Sequence, residues 1–516
     1  MWLSFPAHLF DFLDLCYAAL SVAGGPERAP VSSLVAFSIV AAILVGTMAF
    51  GFLAVGKIKM SPQELVIGNR SFGTILLSLL FAGETITSFT FLGAAGWAYS
   101  RGAPAFYILA YLPLGLIVLF LCGPLLWRRA RELNFLTNAD YFASIYKSRS
   151  LGLLVAVCGV FFLVLYLTVQ LTGIQILLEI AGYGSVKGIS AGAIAFFLIV
   201  IFVLFNGLRG VAWVSVIKDV LVLGAVLFAG VIIPIHFFGS PWHLFERLRA
   251  AHPDWLTLRS GTMPNGTVWF VSTVLVNAVG IITWPHAAAA IYSAKNEASI
   301  RRNAMLLPFY QLILVLVLFA GFSALLVTPG LKGDDADQSF MRVVQTHYSA
   351  WVVGVVAGAG CLAGLVPGSS MILAAGSLIA KNIVGTFSQS FAQKHQTALT
   401  RISILLVAMF AFVSWATARS TLVSMLLVAA NGAAQFLPGI LLSFSDRRPS
   451  AFSIGSGLVV SLLFLSWTAA VKLPLISGIS VGFVALVLNF GVVGLITLAS
   501  QFGQRLRQSG RGLADR

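Results

Sequence analysis

Glu84 is the residue of this chain with the most chemistry to offer. It lies in residues 73–99, a stretch otherwise interrupted only by Gly, Ser and Thr. About 20 apolar residues cross a bilayer, so this carboxyl falls near the membrane midplane. Holding a charge there costs roughly 2.5–3.5 kcal/mol on insertion scales. A group retained against that cost faces a cavity, a partner or a transported ligand, or it bridges helices as a neutral acid. The run Phe81-Ala82-Gly83-Glu84-Thr85-Ile86-Thr87-Ser88-Phe89-Thr90-Phe91-Leu92-Gly93 reads as a helix broken where something binds.

A second break is expected in residues 267–292, at Asn277 to His286, with Gly280 and Pro285 inside an apolar span. His286 can bind a carboxylate, relay a proton, or cap freed carbonyls. Asn277 lies near the unwound turn and can donate to a solute; Trp284 and Phe91 either gate a cavity or pack as core. Thr85 and Thr90 flank Glu84, and Thr87 and Ser88, three and four positions on, are expected to share its helix face. Tyr166 and Gln170 form an i, i+4 polar pair that lines a pocket or joins helices. Arg101, in a short loop, offers anion steering at most. No Lys or Arg is read as lying deep in a span. Neutralising an anionic solute is therefore left to helix N-termini, a cotransported cation or His286, and a zwitterion fits as well.

These residues must be positioned by a bundle. The chain of 516 residues is 59% hydrophobic and 9% charged, with a mean hydropathy of +0.96. Soluble domains carry about 25% charged residues, so this is an all-α polytopic membrane protein. Thirteen apolar spans are expected, near 32–56, 73–99, 103–126, 151–180, 188–207, 213–238, 267–292, 304–328, 350–380, 399–418, 420–444, 452–471 and 474–500. With the N-terminus outside and the C-terminus inside, about two thirds of the 32 Lys and Arg fall in cytoplasmic loops, as the positive-inside rule requires. Lys218 is counted there, with Arg209. The net charge of +15 thus faces anionic lipid, not nucleic acid. Met1–Phe10 has no basic stretch of the kind that opens a removable signal peptide.

The two breaks lie in the second and seventh spans. Interrupted helices in matching positions of two halves point to an inverted-repeat transporter with its site at the midplane. No P-loop, paired catalytic carboxylates, His-Glu-x-x-His spacing or repeated filter motif occurs, which argues against ATP-driven transport, a membrane-embedded enzyme and a channel. The four cysteines lack metal or redox spacing.

Several stretches resemble the sodium:solute symporter family: Asn69 to Gly73, Phe91 to Tyr99 ahead of Gly102, Tyr166 to Gly173, Asn206 to Trp213, Trp284-Pro285-His286, and Ser377 to Asn382. The resemblance runs over roughly residues 55–445. It implies a leucine-transporter-type fold of two inverted five-helix repeats. The expected parts are an extracytoplasmic segment 1–31, a leading helix 32–56, repeats at 73–238 and 267–444, two trailing helices in 452–500, and a basic cytoplasmic tail 501–516. Phe81–Gly96 and Leu365 to Met371 are similar to the bacterial monocarboxylate-permease branch. That implies import of a lactate- or pyruvate-like solute across the bacterial inner membrane, coupled to Na+ or H+, with no organic cofactor. A neutral-solute or amino-acid symporter is the alternative. The expected solute contacts are Glu84, Thr85, Thr90, Gln170, Asn277, Trp284 and His286.

The resemblance also implies a sodium site built from the carbonyls of Gly83, Ile86 and Ala363 and two hydroxyls. Val366 and Pro367 occupy the hydroxyl positions and bring no side-chain oxygen. Ser369 and Ser370 are nearby, and Pro367 is expected to break its helix and free a carbonyl. The acidic residue that can pass sodium inward is replaced by Ser215; Asp219 is expected to point elsewhere. A family Arg is replaced by Ala290. Glu84 is therefore expected to carry the proton or to replace a sodium ligand.

Overall fold

The computed structural model describes residues 29–56, 61–417, 420–473 and 475–514. The N-terminal segment expected over 1–31 lies outside the described residues except for its last few, as do Lys57, Lys59 and the side chains from 503 onward.

The spans are α1 Ala29–Val55, α2 Thr74–Thr85, α3 Phe89–Arg101, α4 Ala103–Glu132, α5 Arg149–Ala181, α6 Ile189–Leu204 and α7 Gly207–Phe238. They continue with α8 Thr267–Gly280, α9 Pro285–Ser293, α10 Glu297–Val327, α11 Ala350–Phe387, α12 Gln396–Thr417, α13 Leu422–Phe444, α14 Ala451–Ala470 and α15 Val481–Phe502. Among the described residues ten helices are long and apolar enough to cross a membrane, twelve if each bent pair counts as one span; α6 is apolar but shorter. The bent pairs are α2–α3, at 54°, and α8–α9, at 46°. Both fall where Gly, Pro and hydroxyl residues interrupt the apolar run.

At the bundle centre is α11, whose most apolar stretch is 83% buried, against 28–67% for the other full-length spans. Small residues make that possible. A Cβ on Gly364 would lie 2.5 Å from Ser88 Oγ, so α11 packs directly on the first break. Pro367 does not end α11, which runs through it. Its missing N–H leaves the Ala363 carbonyl without its usual partner four residues on.

Loop contacts fix the ends of the broken helices. Phe72 N donates to Ser293 O (3.0 Å) and Lys295 N to Phe72 O (2.8 Å), joining the entrance of α2 to the exit of α9. Arg70 donates to the carbonyls of Ala130, Phe135 and Tyr292. Arg209, just after the left-handed turn at Gly207 (φ 55°), forks onto Glu64. In the Ser377–Asn382 stretch, Lys381 and Asn382 both reach Asp140, which also completes a capping box with Thr137. At the opposite end, Asp337 Oδ2 accepts from Leu422 N at 2.7 Å, anchoring the start of α13.

Candidate functional site

α2 stops at Thr85 because the chain turns extended at Ile86 (φ −93°, ψ 98°). Thr87 N, which would otherwise continue the helix by donating to the Gly83 carbonyl, donates instead to Thr90 Oγ1 at 2.7 Å. Ser88 N donates to Gln170 Oε1 at 3.2 Å. Thr90 and Gln170 therefore hold the unwound turn and are not among the residues lining the cavity between the two breaks. Thr87 and Ser88 lie beyond the break, so the helical-face argument linking them to Glu84 fails.

The second break follows the same logic. Thr283 donates both its N–H and its hydroxyl to Gly280 O (2.9 and 2.8 Å), closing the end of α8. Helix α9 then restarts at Pro285 with no side-chain cap at Trp284. Its first N–H groups remain a positive dipole end. His286, in that first turn, is buried, and its Nδ1 has no hydrogen-bond partner.

A cavity of about 90 Å³ lies between the two breaks. One water needs about 10–15 Å³ on this scale, so the space is that of roughly six to nine waters. It gathers five of the expected residues: Glu84, Thr85, Asn277, Trp284 and His286. Glu84 Oε1 is buried without a partner, and the Ser370 hydroxyl is its side-chain neighbour. Asn277 spends one amide hydrogen on Thr273 O and keeps a second. Tyr166 also lines the cavity, its ring 5.1 Å from Trp284 and 5.9 Å from His286, centroid to centroid. Tyr111 of α4 is a lining residue that sequence reasoning missed. It stacks on Tyr107, one turn earlier, and that i, i+4 Tyr pair in an apolar span was the available signal.

The expected cation site is built differently from the expectation. Among the described residues Lys218 is the one Lys or Arg that is buried, at 0% exposure. It belongs to α7, not to a loop. Its Nζ donates to Gly83 O at 2.9 Å and Ile86 O at 3.2 Å, two of the carbonyls expected to hold sodium. Asp219 does not point elsewhere: its Oδ1 pairs with Lys218 Nζ at 3.0 Å and accepts from Tyr310 Oη at 3.0 Å. Ser369 and Ser370 give their hydroxyl hydrogens to Leu365 O and Pro367 O within α11. Gly83 permits the close approach: a Cβ there would sit 2.5 Å from Ser215 Oγ and 3.4 Å from Val366 Cγ1.

The model of a family described as "Sodium:solute symporter family" matches residues 65–460. The uncharacterized symporter YhjB of Bacillus subtilis is 35% identical over 478 residues, covering 90% of this chain and 97% of that protein. A monocarboxylate transport permease protein of Rhizobium johnstonii is 28% identical over 359 residues, covering 67% and 71%. Among solved structures, a Na+-coupled sialic acid symporter in a substrate-bound outward-open state superposes with a TM-score of 0.73. It is 14% identical, covering 90% of this chain and 96% of that one, and so it speaks to fold alone.

Proposed function

This chain belongs to the sodium:solute symporter family, and on that premise we propose that it imports a small monocarboxylate of lactate or pyruvate size together with a cation. Membership makes it a multi-pass membrane transporter and not an enzyme. The bacterial relatives and the basic loops support a bacterial inner membrane, with the N-terminus outside and the C-terminus inside. The matched breaks support two inverted five-helix halves at 73–238 and 267–444.

One observation carries the solute reading: a single cavity is lined by both Glu84 and His286, the latter in the first turn of α9. An uncapped helix N-terminus attracts a carboxylate, and the free Nδ1 and the Asn277 amide supply further polar contacts. Two anionic carboxyls in one low-dielectric cavity repel strongly. The solute anion therefore enters when Glu84 is protonated, which makes Glu84 the proton carrier. The Rhizobium relative, a monocarboxylate transport permease protein, supports the same solute class.

The same placement favours a second reading. An ionised Glu84 facing the N-terminus of α9 also suits a zwitterion, with its ammonium on Glu84 and its carboxylate on α9. Uptake of labelled L-lactate and L-alanine into proteoliposomes separates them. Accumulation of lactate above its external concentration supports the monocarboxylate, and accumulation of alanine alone supports the zwitterion. Mere equilibration of either solute would contradict active transport.

A further inference from the structure

The amine of Lys218 occupies a place that chemistry marks out for a cation. The end of α2 leaves carbonyls without helical partners, and such ends carry partial negative charge. With Thr87 N diverted to Thr90, the Gly83 carbonyl is one of them. Lys218 Nζ meets Gly83 O, Ile86 O and Asp219 Oδ1 at 2.9, 3.2 and 3.0 Å. An ammonium has three hydrogens for these three acceptors; a neutral amine would turn its lone pair on one of them. The ionisable groups bearing on this nitrogen are Asp219 from its own helix and Glu84 from α2, with Tyr310 of α10 reaching Asp219. From α11, Val366 stands 3.4 Å from where a Cβ on Gly83 would lie, and it has no side-chain oxygen to offer a metal ion.

We propose that the Lys218 ammonium is the fixed cation of this centre, standing where a cotransported inorganic cation would bind. The transporter then needs no sodium there, and the proton carried on Glu84 is its coupling ion. The second clause rests on the role given to Glu84 above; the first does not. The proton enters on the Glu84 carboxyl with the solute anion and leaves to the cytoplasm when the solute has gone. Lys218 keeps the end of α2 charge-compensated throughout.

The test uses the full-length protein in two arms. In detergent, binding of radioactive sodium ion is measured for wild type, Lys218→Ala and Lys218→Gln, the last keeping an amide donor should the alanine variant fold poorly. The expected result is no saturable binding to wild type, with binding gained by a variant that has vacated the carbonyls. Saturable sodium binding to wild type overturns the proposal. In proteoliposomes, L-lactate uptake is driven by a pH gradient with choline or with sodium as the only salt cation. Uptake that is equal in choline and lost without the pH gradient is expected; uptake that requires sodium overturns it. If lactate enters under neither gradient, the solute reading falls, while the binding arm still decides the assignment of Lys218.

Discussion

The rings of Tyr166 and Trp284 lie 5.1 Å apart, centroid to centroid, so the second break of the chain leans on α5, the helix whose Gln170 caps the first. His286 sits against both rings, lines the cavity, and has its Nδ1 buried without a hydrogen-bond partner. Removing that nitrogen deletes a polar contact worth about 1–1.5 kcal/mol, or roughly tenfold in affinity. His286→Ala is expected to raise the dissociation constant for L-lactate by at least that factor in a detergent binding assay, and to lower the melting temperature because the ring packs against Tyr166 and Trp284. Unchanged affinity would remove His286 from the solute site.

Glu84→Gln tests the proton carrier. The amide keeps size and polarity but cannot release a proton to the cytoplasm. Gradient-driven accumulation should be lost while L-lactate still binds. A variant that concentrates lactate like wild type would show that Glu84 only bridges helices.

Gln170 supplies the acceptor for Ser88 N in a buried turn. Leaving that N–H unsatisfied costs about 1–3 kcal/mol. Gln170→Leu should lower the melting temperature, and Gln170→Glu, which keeps an acceptor as a neutral acid, should lose less when measured at acidic pH. Equal losses would mean that packing, not capping, is what Gln170 contributes.

Gly83 is a point of close approach between α2 and α7. An added methyl would meet Ser215 Oγ at 2.5 Å, and overpacking of this kind costs about 1–3 kcal/mol. Gly83→Ala is expected to impair uptake and stability, and Ser215→Gly in the same chain to restore much of both. Failure of the rescue would place the strain elsewhere.

Asp337 lies outside the spans and gives a pH dependence. Burial pushes its carboxyl up to about 7, Asp334 adds to the rise, and the Leu422 N–H opposes it. A carboxyl whose folded value is raised favours the folded state when protonated. That stabilisation is complete below about pH 4 and is lost as pH rises towards 7. The melting temperature of wild type should fall across that window relative to Asp337→Asn, whose amide oxygen can still accept from Leu422. Parallel curves would contradict the assignment.

The breaks were legible because Gly, Pro and hydroxyl residues stand out against apolar sequence, and Glu84 and His286 stood out with them. Lys218 was not legible. It sits three turns into α7, but only five residues past 213, where the apolar run begins, and so reads with Arg209 as the edge of a basic loop. Only the fold shows that α2 ends opposite it. Thr90 and Gln170 were recognised as polar residues near the breaks. Their partners depend on where backbone N–H groups are orphaned, which no periodicity specifies. Pro367 suggested a broken helix, yet α11 is packed too closely on both sides to bend.

The most direct test of the account is a cryo-EM map of the full-length protein in saturating L-lactate, compared with a lactate-free map. The account predicts new density in the cavity between Glu84, Asn277 and His286, with its carboxylate end towards the first turn of α9. Lactate density elsewhere in the bundle, with that cavity unchanged, would contradict it.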